Sequence, residues 1–452
     1  MKKHLLQLFI LIVSLFTMVY PGNRIAAAMG DVGYKDFTYG LARAVTSEKP
    51  QSKLWYHDDL WWGVLYNRLE DRYEIFKFDW VTQIWATTNI PVDPRPFSTH
   101  DALSVGDDLF IAGAAMPPDP PGIPDQADKN IYINSFSYDT GSNLYIPGPI
   151  AVIWNGSVET VVIDQDTTGK LWATFTTFGP SGLPSVYVAH SQGTPTNWLP
   201  ANIFVLPFAS AANLTADDIS TLVAYSGKIG VMWSNQTNSN QNTTSVYFAT
   251  HVDGAADNMW TSATPLSGPK YADDHLNIKS LQADSAGQVF AVVKTSLNDV
   301  NLPTSTEPEI LLLMLDNQGS WKRRTVATIA DNHTRPIVLI DTENRNIYVF
   351  MTLQYPGQTS GAIYYKKVNL DDPGMQFPDG PGTPFIEYID PDPTNPYHIN
   401  NASSTKQPLN GTTNLLVIAS DDSRQLYLHN YIDLPGLPGP PMFTTFLPLI
   451  IK

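Results

Sequence analysis

The stretch DDHLNIKSL, from Asp273 to Leu281, gathers chemically active side chains in a chain that otherwise carries few charges. It holds two aspartates, a histidine, an asparagine and a lysine. Carboxylates can serve as acid and base in glycoside hydrolysis, and a lysine can bind an anionic group as a point charge. Adjacent aspartates in a strand point to opposite faces, so Asp101, from another segment, is a further candidate for such a carboxylate pair.

The elements that position this stretch are repeated along the chain. Seven short apolar segments begin at Leu60, Leu109, Leu171, Ile229, Val289, Ile347 and Leu415. A second segment follows each of them, and five of these seven carry tyrosine at the third position. Both sets are rich in β-branched and aromatic residues, and Asp, Asn and Gly between them suit tight hairpins. Several units add a tryptophan-led segment. Four strands repeated seven times predict an all-β, seven-bladed β-propeller of four-stranded blades.

Closure of the ring is predicted from the two chain ends. The seventh unit has no fourth strand after QLYLHNYI, whereas KDFTYGLARAVT near the N-terminus is strand-like and precedes the first unit. The N-terminal strand would therefore close the last blade and remove exposed sheet edges. Two packed sandwich domains are the alternative architecture, but no linker interrupts the seven units.

A propeller places the first strand of every blade around a central channel, so residues at the strand starts converge at one end, which we call the mouth. DDHLNIKSL is such a start, and polar residues occupy the corresponding position in every unit, including Asp218. Convergent polar groups in a concave place predict a binding site, although a wet channel could also be lined with polar side chains without a function. The predicted ligand-binding residues are Lys53, His100, Asp101, Asp274, His275, Asn277, Lys279, Arg335, Lys406 and Gln407.

Composition excludes several classes of protein. Of the 452 residues, 43 are acidic and 27 are lysine or arginine, which gives a formal charge of −16. Phosphate binding needs clustered basic residues, so nucleic acid is not expected as a partner. The absence of cysteine excludes disulfides and thiolate chemistry. The nine histidines show no spacing typical of a zinc site, so we expect no metal and no cofactor.

The two termini predict a three-part organisation. Residues 1–28 contain two early lysines, an apolar run and small residues at Ala26–Ala28, which together indicate a cleaved secretory signal peptide. Residues 29–434 would form the propeller. Residues 435–452 would form a Pro/Gly-rich spacer with a short apolar tail, which serves either as a surface-retention signal or as a closing strand. We expect a secreted or cell-surface monomer without a membrane span after cleavage.

The repeats resemble the sialidase-like propellers of secreted bacterial proteins, whose hairpins carry the Asp-box S-x-D-x-G-x-x-W. LDNQGSW places Asp316 five residues before Trp321, as in the box, but Gly319 is one place late. SQGTPTNW has Ser191 and Trp198 at the box separation but lacks the aspartate. The resemblance implies a sialidase-like fold. Sialidase activity would need three arginines at the mouth, as well as a tyrosine nucleophile and an aspartate.

Only Arg335 lies at a strand start, whereas Arg43 and Arg95 lie at strand margins. The sequence therefore favours a secreted propeller that binds a carbohydrate or an anionic polymer at its mouth. A glycoside hydrolase or lyase using the same mouth is one alternative, and a surface scaffold for protein partners is another. No residue is predicted to be catalytic.

Overall fold

The computed structural model describes residues 32–43, 45–47, 50–118, 122–179, 182–237, 243–273, 281–284, 287–388 and 398–436. The predicted signal peptide and most of the predicted C-terminal tail lie outside these residues. The described chain is built of β-strands, as the repeats predict. It also contains three short 3-10 turns, at Ala209–Ala211, Leu297–Asp299 and Ile329–Asp331. Among the described residues, no helix has the length and apolar composition needed to cross a bilayer.

The strands are ordered into antiparallel sheets, which we label A to F. The chain begins with β1 (Tyr34–Thr38), which belongs to sheet F. Sheet A contains β2 (Leu54–His57), β3 (Leu60–Asn67), β4 (Arg72–Asp79) and β5 (Ile84–Asp93). Sheet B contains β6 (Ser98–Val105), β7 (Asp108–Ala115), β8 (Asn130–Asp139) and β9 (Leu144–Asn155). Sheet C contains β10 (Val162–Gln165), β11 (Leu171–Phe178), β12 (Pro184–Gln192) and β13 (Thr194–Val205).

The later sheets continue this order. Sheet D contains β14 (Ser220–Tyr225), β15 (Lys228–Asn235), β16 (Thr243–Val252) and β17 (Trp260–Pro269). Sheet E contains β18 (Leu281–Ala283), β19 (Val289–Lys294), β20 (Pro308–Leu315) and β21 (Trp321–Thr328). Sheet F has eight strands, which include β22 (His333–Asp341), β23 (Asn346–Gln354), β24 (Gly361–Asn369) and β25 (Thr383–Ile386). Its other strands are β26 (Ile399–Ser403), β27 (Leu415–Asp421), β28 (Leu426–Ile432) and β1.

Sheet F joins two groups of four strands. The only register pair between β24 and β26 that the described residues show is Gly361 with Ile399. A Cβ atom at Gly361 would lie 1.8 Å from the carbonyl oxygen of Leu353, so glycine is required where the groups meet. We call the group β22–β25 F1 and the group β26–β28 with β1 F2.

Turn chemistry explains the hairpins between first and second strands. Asp58 and Asp59, which join β2 to β3, have φ values of 50° and 58°, and Ser226 and Gly227, which join β14 to β15, have 45° and 68°. Positive φ at both central residues is the geometry of the two-residue hairpins that match the twist of a sheet. The predicted Asp, Asn and Gly signals therefore mark real hairpins.

Burial follows the position of each strand within its sheet. Second strands are buried almost throughout: β7 exposes only Asp108, and β27 is buried from Leu415 to Asp421. Last strands such as β9 are largely exposed. Because sheets pack against both faces of the second strands, these strands show a continuous apolar run rather than an alternating pattern.

The hydrophobic core is divided among the seams between neighbouring sheets. Trp172 of sheet C and Trp233 of sheet D share one cluster, for example, and Phe110 of sheet B and Phe175 of sheet C share another. Face-to-face packing of twisted sheets with an apolar seam is the expected way to bury both faces.

The first strands of successive sheets are neighbours in space. β2 contacts β6, and the series continues through β10, β14, β18 and β22 to β26. β26 in turn lies beside sheet A, because the Leu54 amide donates to the carbonyl oxygen of Ser404 at 3.0 Å. The Gln407 side chain adds two bonds to the same strand: its Oε1 accepts the Tyr56 amide at 2.7 Å, and its Nε2 donates to the Tyr56 carbonyl oxygen at 3.1 Å.

The predicted N-terminal strand lies at Tyr34–Thr38 and pairs with β28, placing Tyr34 opposite His429. The carboxylate of Asp36 is 2.9 Å from Nδ1 of His429, and burial raises the pKa of Asp36 against the lowering effect of that histidine. Tyr39, fully buried just beyond the strand, donates through its hydroxyl to Oδ1 of Asp422 at 2.8 Å. The N-terminal segment is therefore packed against the last strands of the chain.

Deleting residues 34–38 should destabilise the protein by roughly 3 kcal/mol or more, at about 1 kcal/mol for each backbone hydrogen bond lost. It also leaves the edge of β28 unpaired. Chemical denaturation measures this loss, and adding a synthetic peptide of residues 32–41 should reverse part of it. A truncated protein that unfolds at the same denaturant concentration as the parent would contradict the prediction.

Candidate functional site

One buried carboxylate connects the first strands of several sheets. Asp101, in β6, is fully buried; its Oδ1 accepts the Ser52 amide at 2.8 Å and its Oδ2 accepts the Ile163 amide at 2.8 Å. Lys406, which follows β26, places its Nζ 2.5 Å from the same Oδ2 and 2.5 Å from the carbonyl oxygen of Ile163. Burial raises the pKa of Asp101, whereas the Lys406 ammonium lowers it. Asp101 thus ties sheet B to sheet C, to F2 and to the segment that leads into sheet A.

A second buried chain of charges lies between sheets A and B. Arg95 grips Asp93 with two hydrogen bonds, of 2.9 Å from Nε and 2.6 Å from Nη2. Nε2 of His100 lies 3.2 Å from Oδ2 of Asp93, and Nδ1 lies 3.4 Å from Nζ of Lys53. A Cβ atom at Gly113 would lie 3.0 Å from Asp93 Oδ2, so only glycine leaves full room for this chain.

Burial has a large effect on the pKa values of these charged groups. It lowers the pKa of Lys53 to about 7, although Asp101 and Asp93 favour the ammonium form. It lowers the pKa of His100 to about 4, with the charge of Lys53 acting in the same direction. Burial alone would raise the pKa of Asp93, but hydrogen bonds from Arg95 and His100 hold that pKa well below its usual range. His100 is therefore neutral at pH 7, and Asp93 is ionised.

The predicted ligand-binding residues differ in how they are placed. Lys53, His100 and Asp101 are fully buried, and Lys406 and Gln407 connect F2 to other sheets by the hydrogen bonds given above. Asp218 is also buried, and its Oδ2 accepts the Thr215 amide at 2.9 Å. The contacts of these side chains hold the first strands and the loops around them. Four further predicted residues lie outside the described part of the chain: Asp274, His275, Asn277 and Lys279.

Arg335 is placed differently from these buried residues. It lies in a bulge near the start of β22, with a φ of 49°, and is partly exposed. Its Nη1 donates to the carbonyl oxygen of Thr359 at 3.0 Å. A left-handed conformation costs a residue with a Cβ atom about 1–2 kcal/mol, so the surrounding fold holds this arginine in a strained position.

The neighbouring group F2 contributes Asn400, which shares a hydrogen-bond acceptor with this arginine, and Asn401, the next residue of β26. Nδ2 of Asn400 donates to the same Thr359 carbonyl oxygen at 3.2 Å. Asn401 is fully buried with a φ of 58°, and neither atom of its amide has a hydrogen-bond partner among the described residues. Unpaired buried amides cost about 1–3 kcal/mol, which makes this position unusual in a well-packed chain.

Sheet E supplies a carboxyl group at the same end. Glu309, near the start of β20, is buried, and its Oε2 accepts the His333 amide at 3.1 Å. Burial raises the pKa of Glu309 to about 7, against the lowering effect of the Lys294 ammonium. Lys294 itself pairs with Asp273 at 2.6 Å. Asp273, the first residue of DDHLNIKSL, is therefore part of an ion pair, and a carboxyl group that titrates near neutral pH stands beside it.

These groups lie at one end of three neighbouring first strands. Antiparallel pairing puts the start of a first strand, the end of the second and the start of the third at the same end. That end is the predicted mouth, and we call the polar strip along it the E–F rim. Its members are Asp273, Lys294, Glu309, Arg335, Asn400 and Asn401. The rim offers the partly exposed Arg335 for an anion, and it contains one buried carboxyl group whose pKa is raised to about 7.

The residues predicted from the sequence include Arg335 but not Glu309. The signal was available, since EILLLML places an acid at the head of an apolar segment that is otherwise buried. Packing against sheet F buries Glu309, and that burial raises its pKa, which the linear sequence does not show. Within the described ranges, no three His, Asp or Glu side chains are grouped as metal ligands.

Three hairpins that begin with aspartate, among them the LDNQGSW turn, have a common geometry. At Asp166, Asp284 and Asp316, Oδ1 accepts the amide of the residue four places later, at 3.0, 2.8 and 2.9 Å. The amide of a glycine three places later donates to the carbonyl oxygen of the aspartate in each turn. The glycine thus follows at a spacing of three, one more than in the Asp-box. Arg95, a candidate for a sialidase triad, is held by Asp93.

Comparisons with known proteins identify the fold. No family model matches the sequence, and no curated protein is similar to it. Among solved structures, an ulvan lyase, described as a polysaccharide lyase bound to -[GlcA(1-4)Rha3S]-, matches with a TM-score of 0.53 and 11% identity. The match covers 89% of this chain and 96% of the lyase. The fold is that of a β-propeller.

Two other structures are similar to this propeller. A second structure of the ulvan lyase aligns with a TM-score of 0.53 and 9% identity, covering 89% of this chain and 96% of the other. A protein of unknown function from Dyadobacter fermentans aligns with a TM-score of 0.46 and 13% identity, over 74% of this chain and 94% of the other. At identities this low, the two ulvan lyase structures show a common fold alone, and function must be argued from the site.

The Asp101–Lys406 pair should contribute much more to the free energy of unfolding than an exposed ion pair does. Asp101→Asn should cost about 3 kcal/mol or more, because it leaves a partly buried ammonium without its counter-charge. Lys406→Met should restore part of that loss, so the double variant should be more stable than the sum of the single changes indicates. Urea denaturation of the four proteins measures the coupling.

The matched control is the exposed pair of Asp125 and Lys129, whose charged atoms are 2.6 Å apart. Exposed pairs contribute about 0–1 kcal/mol, so Asp125→Asn with Lys129→Met should show little coupling. Equal coupling energies for the two pairs would refute the connecting role of Asp101.

Lys53 should make stability rise with pH. Its folded pKa is about 7 and its ordinary value is 10.5, so between these values the unfolded chain binds the proton and the folded chain does not. Its contribution to stability is therefore lost as pH falls through this window. From pH 7 to 9 the parent should gain up to about 1 kcal/mol per pH unit relative to Lys53→Met, which keeps the side-chain length. Parallel stability curves for parent and variant would show that Lys53 does not titrate in this range.

Proposed function

We propose that this protein is exported and folds as a closed propeller of seven four-stranded blades that binds an extracellular glycan at its mouth. Sheets A to E, F1 and F2 would be the seven blades, with β1 completing the last. The pairing of β1 with β28 and the contact of β26 with sheet A support this layout. The apolar N-terminal run of residues 5–20 supports export.

The observation that carries the binding proposal is the strained conformation of Arg335. Strained backbone persists where the fold holds a side chain in place for a purpose, and such positions cluster at ligand sites. Arginine is the residue best suited to carboxylate or sulfate groups, because its planar fork donates two parallel hydrogen bonds. The guanidinium is partly exposed, so it remains able to contact a ligand.

The ligand class that fits the E–F rim is an acidic carbohydrate. Arg335 supplies a charge for the acidic group, and the buried Asn400 shares the Thr359 carbonyl oxygen with it and so helps to hold it in place. The chain carries −16 overall, so a local cation rather than a general positive field would attract such a ligand. Lys279 and the other predicted residues of DDHLNIKSL follow Asp273 directly in sequence and belong to the same proposal. Lys53, His100, Asp101, Lys406 and Gln407 would hold the first strands that form the mouth.

A second candidate function, a glycoside hydrolase or lyase, is favoured by Glu309. A carboxyl group with a pKa of about 7 can accept and return a proton at physiological pH. The ulvan lyase with the same fold acts on a polysaccharide, which makes this candidate compatible with the fold. Catalysis would add a proton-transfer step to the binding at Arg335.

Arg335→Ala should weaken the binding of acidic oligosaccharides about tenfold or more, because it removes a charge-assisted hydrogen bond worth about 1.5–3 kcal/mol. A glycan array with uronate-containing and sulfated saccharides identifies the ligands, and calorimetry gives the affinities. Arg323→Ala, on the exposed outer strand β21, is the matched control and should bind as the parent does.

Incubating the same saccharides with the parent and with Glu309→Gln separates binding from turnover. New unsaturated uronate ends would indicate a lyase, and new reducing ends alone would indicate a hydrolase. If Arg335→Ala and the parent bind every acidic saccharide equally, the mouth is not the binding site.

A further inference from the structure

A second cavity lies at the opposite end of the sheets from the mouth, where turns join the first and second strands; we call this the hairpin end. It occupies ≈ 450 Å³ in the seam between sheets D and E. This volume falls within the range of about 300–1,000 Å³ that is typical of small-molecule sites. None of the residues of the E–F rim lines it.

The apolar part of this cavity is aromatic. Tyr225, Phe248 and Trp321 line it, and Trp321 packs edge-on against Phe248 with ring centroids 5.0 Å apart. Gly230 makes room for these rings, because a Cβ atom there would lie 2.3 Å from Cζ of Phe248. The glycine and the packed rings fix the orientation of Trp321, which is itself only half-buried.

Several other side chains that line the cavity are polar. Ser226, Thr250, Thr261 and Ser262 supply hydroxyl groups, and Asn317 supplies an amide. The hydroxyl of Tyr225 is 2.9 Å from Oγ1 of Thr250, so the polar side of the cavity is already ordered. The two turns that frame the cavity touch, since a Cβ atom at Gly287 would lie 2.0 Å from Oγ of Ser226.

The charges around the cavity balance each other. Lys228 and Asp316 are its two ionisable members other than Tyr225 among the described lining residues. The carboxylate of Asp316 is already engaged: its Oδ1 accepts two turn amides and its Oδ2 lies 3.1 Å from Nζ of Lys322. The cavity therefore lacks the excess of one sign that would select a charged ligand.

We propose that this hairpin-end cavity binds a neutral pyranose unit of a glycan, at a site separate from the mouth. The apolar face of a sugar ring matches an aromatic wall, and its hydroxyl groups match short side-chain hydroxyls and an amide. The mouth and the cavity would then contact different parts of one polymer, or different polymers, and a chain bound at both would gain avidity.

Two substitutions test the cavity while the rest of the protein stays intact. Trp321→Ala removes the aromatic wall, and Ser262→Tyr fills the cavity from an exposed strand position. Thr264→Tyr is the matched control, since Thr264 lies two residues further along β17, is exposed and does not line the cavity. Melting curves of all variants verify that they are folded.

The probes are neutral cello-, malto- and laminari-oligosaccharides on an array, followed by calorimetry on those that bind. Trp321→Ala and Ser262→Tyr should each weaken binding of the neutral saccharides about tenfold or more. Thr264→Tyr and Arg335→Ala should bind them as the parent does.

The proposal is overturned if no neutral saccharide binds the parent, or if Ser262→Tyr binds them as tightly as Thr264→Tyr. It is also overturned if Ser262→Tyr loses only acidic ligands, since the ligand class would then be wrong. Loss of acidic ligands in Arg335→Ala alone tests the mouth, so the two proposals fail independently.

Discussion

The carboxylate of Asp101 is the contact on which the arrangement of the first strands depends. It is buried, and its donors come from F2, from sheet C and from the segment before sheet A. Burying a carboxylate costs several kcal/mol, and only a full set of donors offsets that cost. Asp164 of sheet C makes the same kind of contact with the next sheet. Its Oδ2 accepts the Ala224 amide of sheet D at 2.8 Å. Neighbouring sheets are thus set in place by side-chain carboxylates that take the backbone amides of the next first strand.

The buried charged residues are engaged in contacts between sheets, whereas the two ends of the sheets carry groups that are partly exposed. Lys406 and Lys53 are basic residues that an anionic ligand could have used, but Lys406 is bound to Asp101 and Lys53 is buried beside His100. Arg335 at the mouth is partly exposed. At the hairpin end, Trp321 stands over a cavity with balanced charges. The fold therefore carries a partly exposed arginine at one end of the sheets and a cavity with an aromatic wall at the other.

The sequence was sufficient to predict strands, hairpins and an all-β propeller-like fold, because repeated apolar runs and Asp–Gly turns are local signals. It predicted a strand near Lys35, and one lies at Tyr34–Thr38. It could not separate fully buried from partly exposed polar residues, since Lys53 and Arg335 both lie at strand starts and differ in what packs over them. Glu309 was missed for the same reason: its environment is made by sheets E and F1 together, and no pattern along the chain records it.

Two residues with positive φ at the mouth connect its stability to its proposed role. Arg335 and Asn401 have φ values of 49° and 58° in neighbouring groups of sheet F. Asparagine adopts this conformation readily, whereas arginine does so at a cost. Thr359 accepts hydrogen bonds from both Arg335 and Asn400, so one carbonyl oxygen holds the two strand starts together. The strain is therefore supported by the contact between F1 and F2, the same junction that Gly361 makes possible, and a ligand that bridges the two groups would stabilise it further.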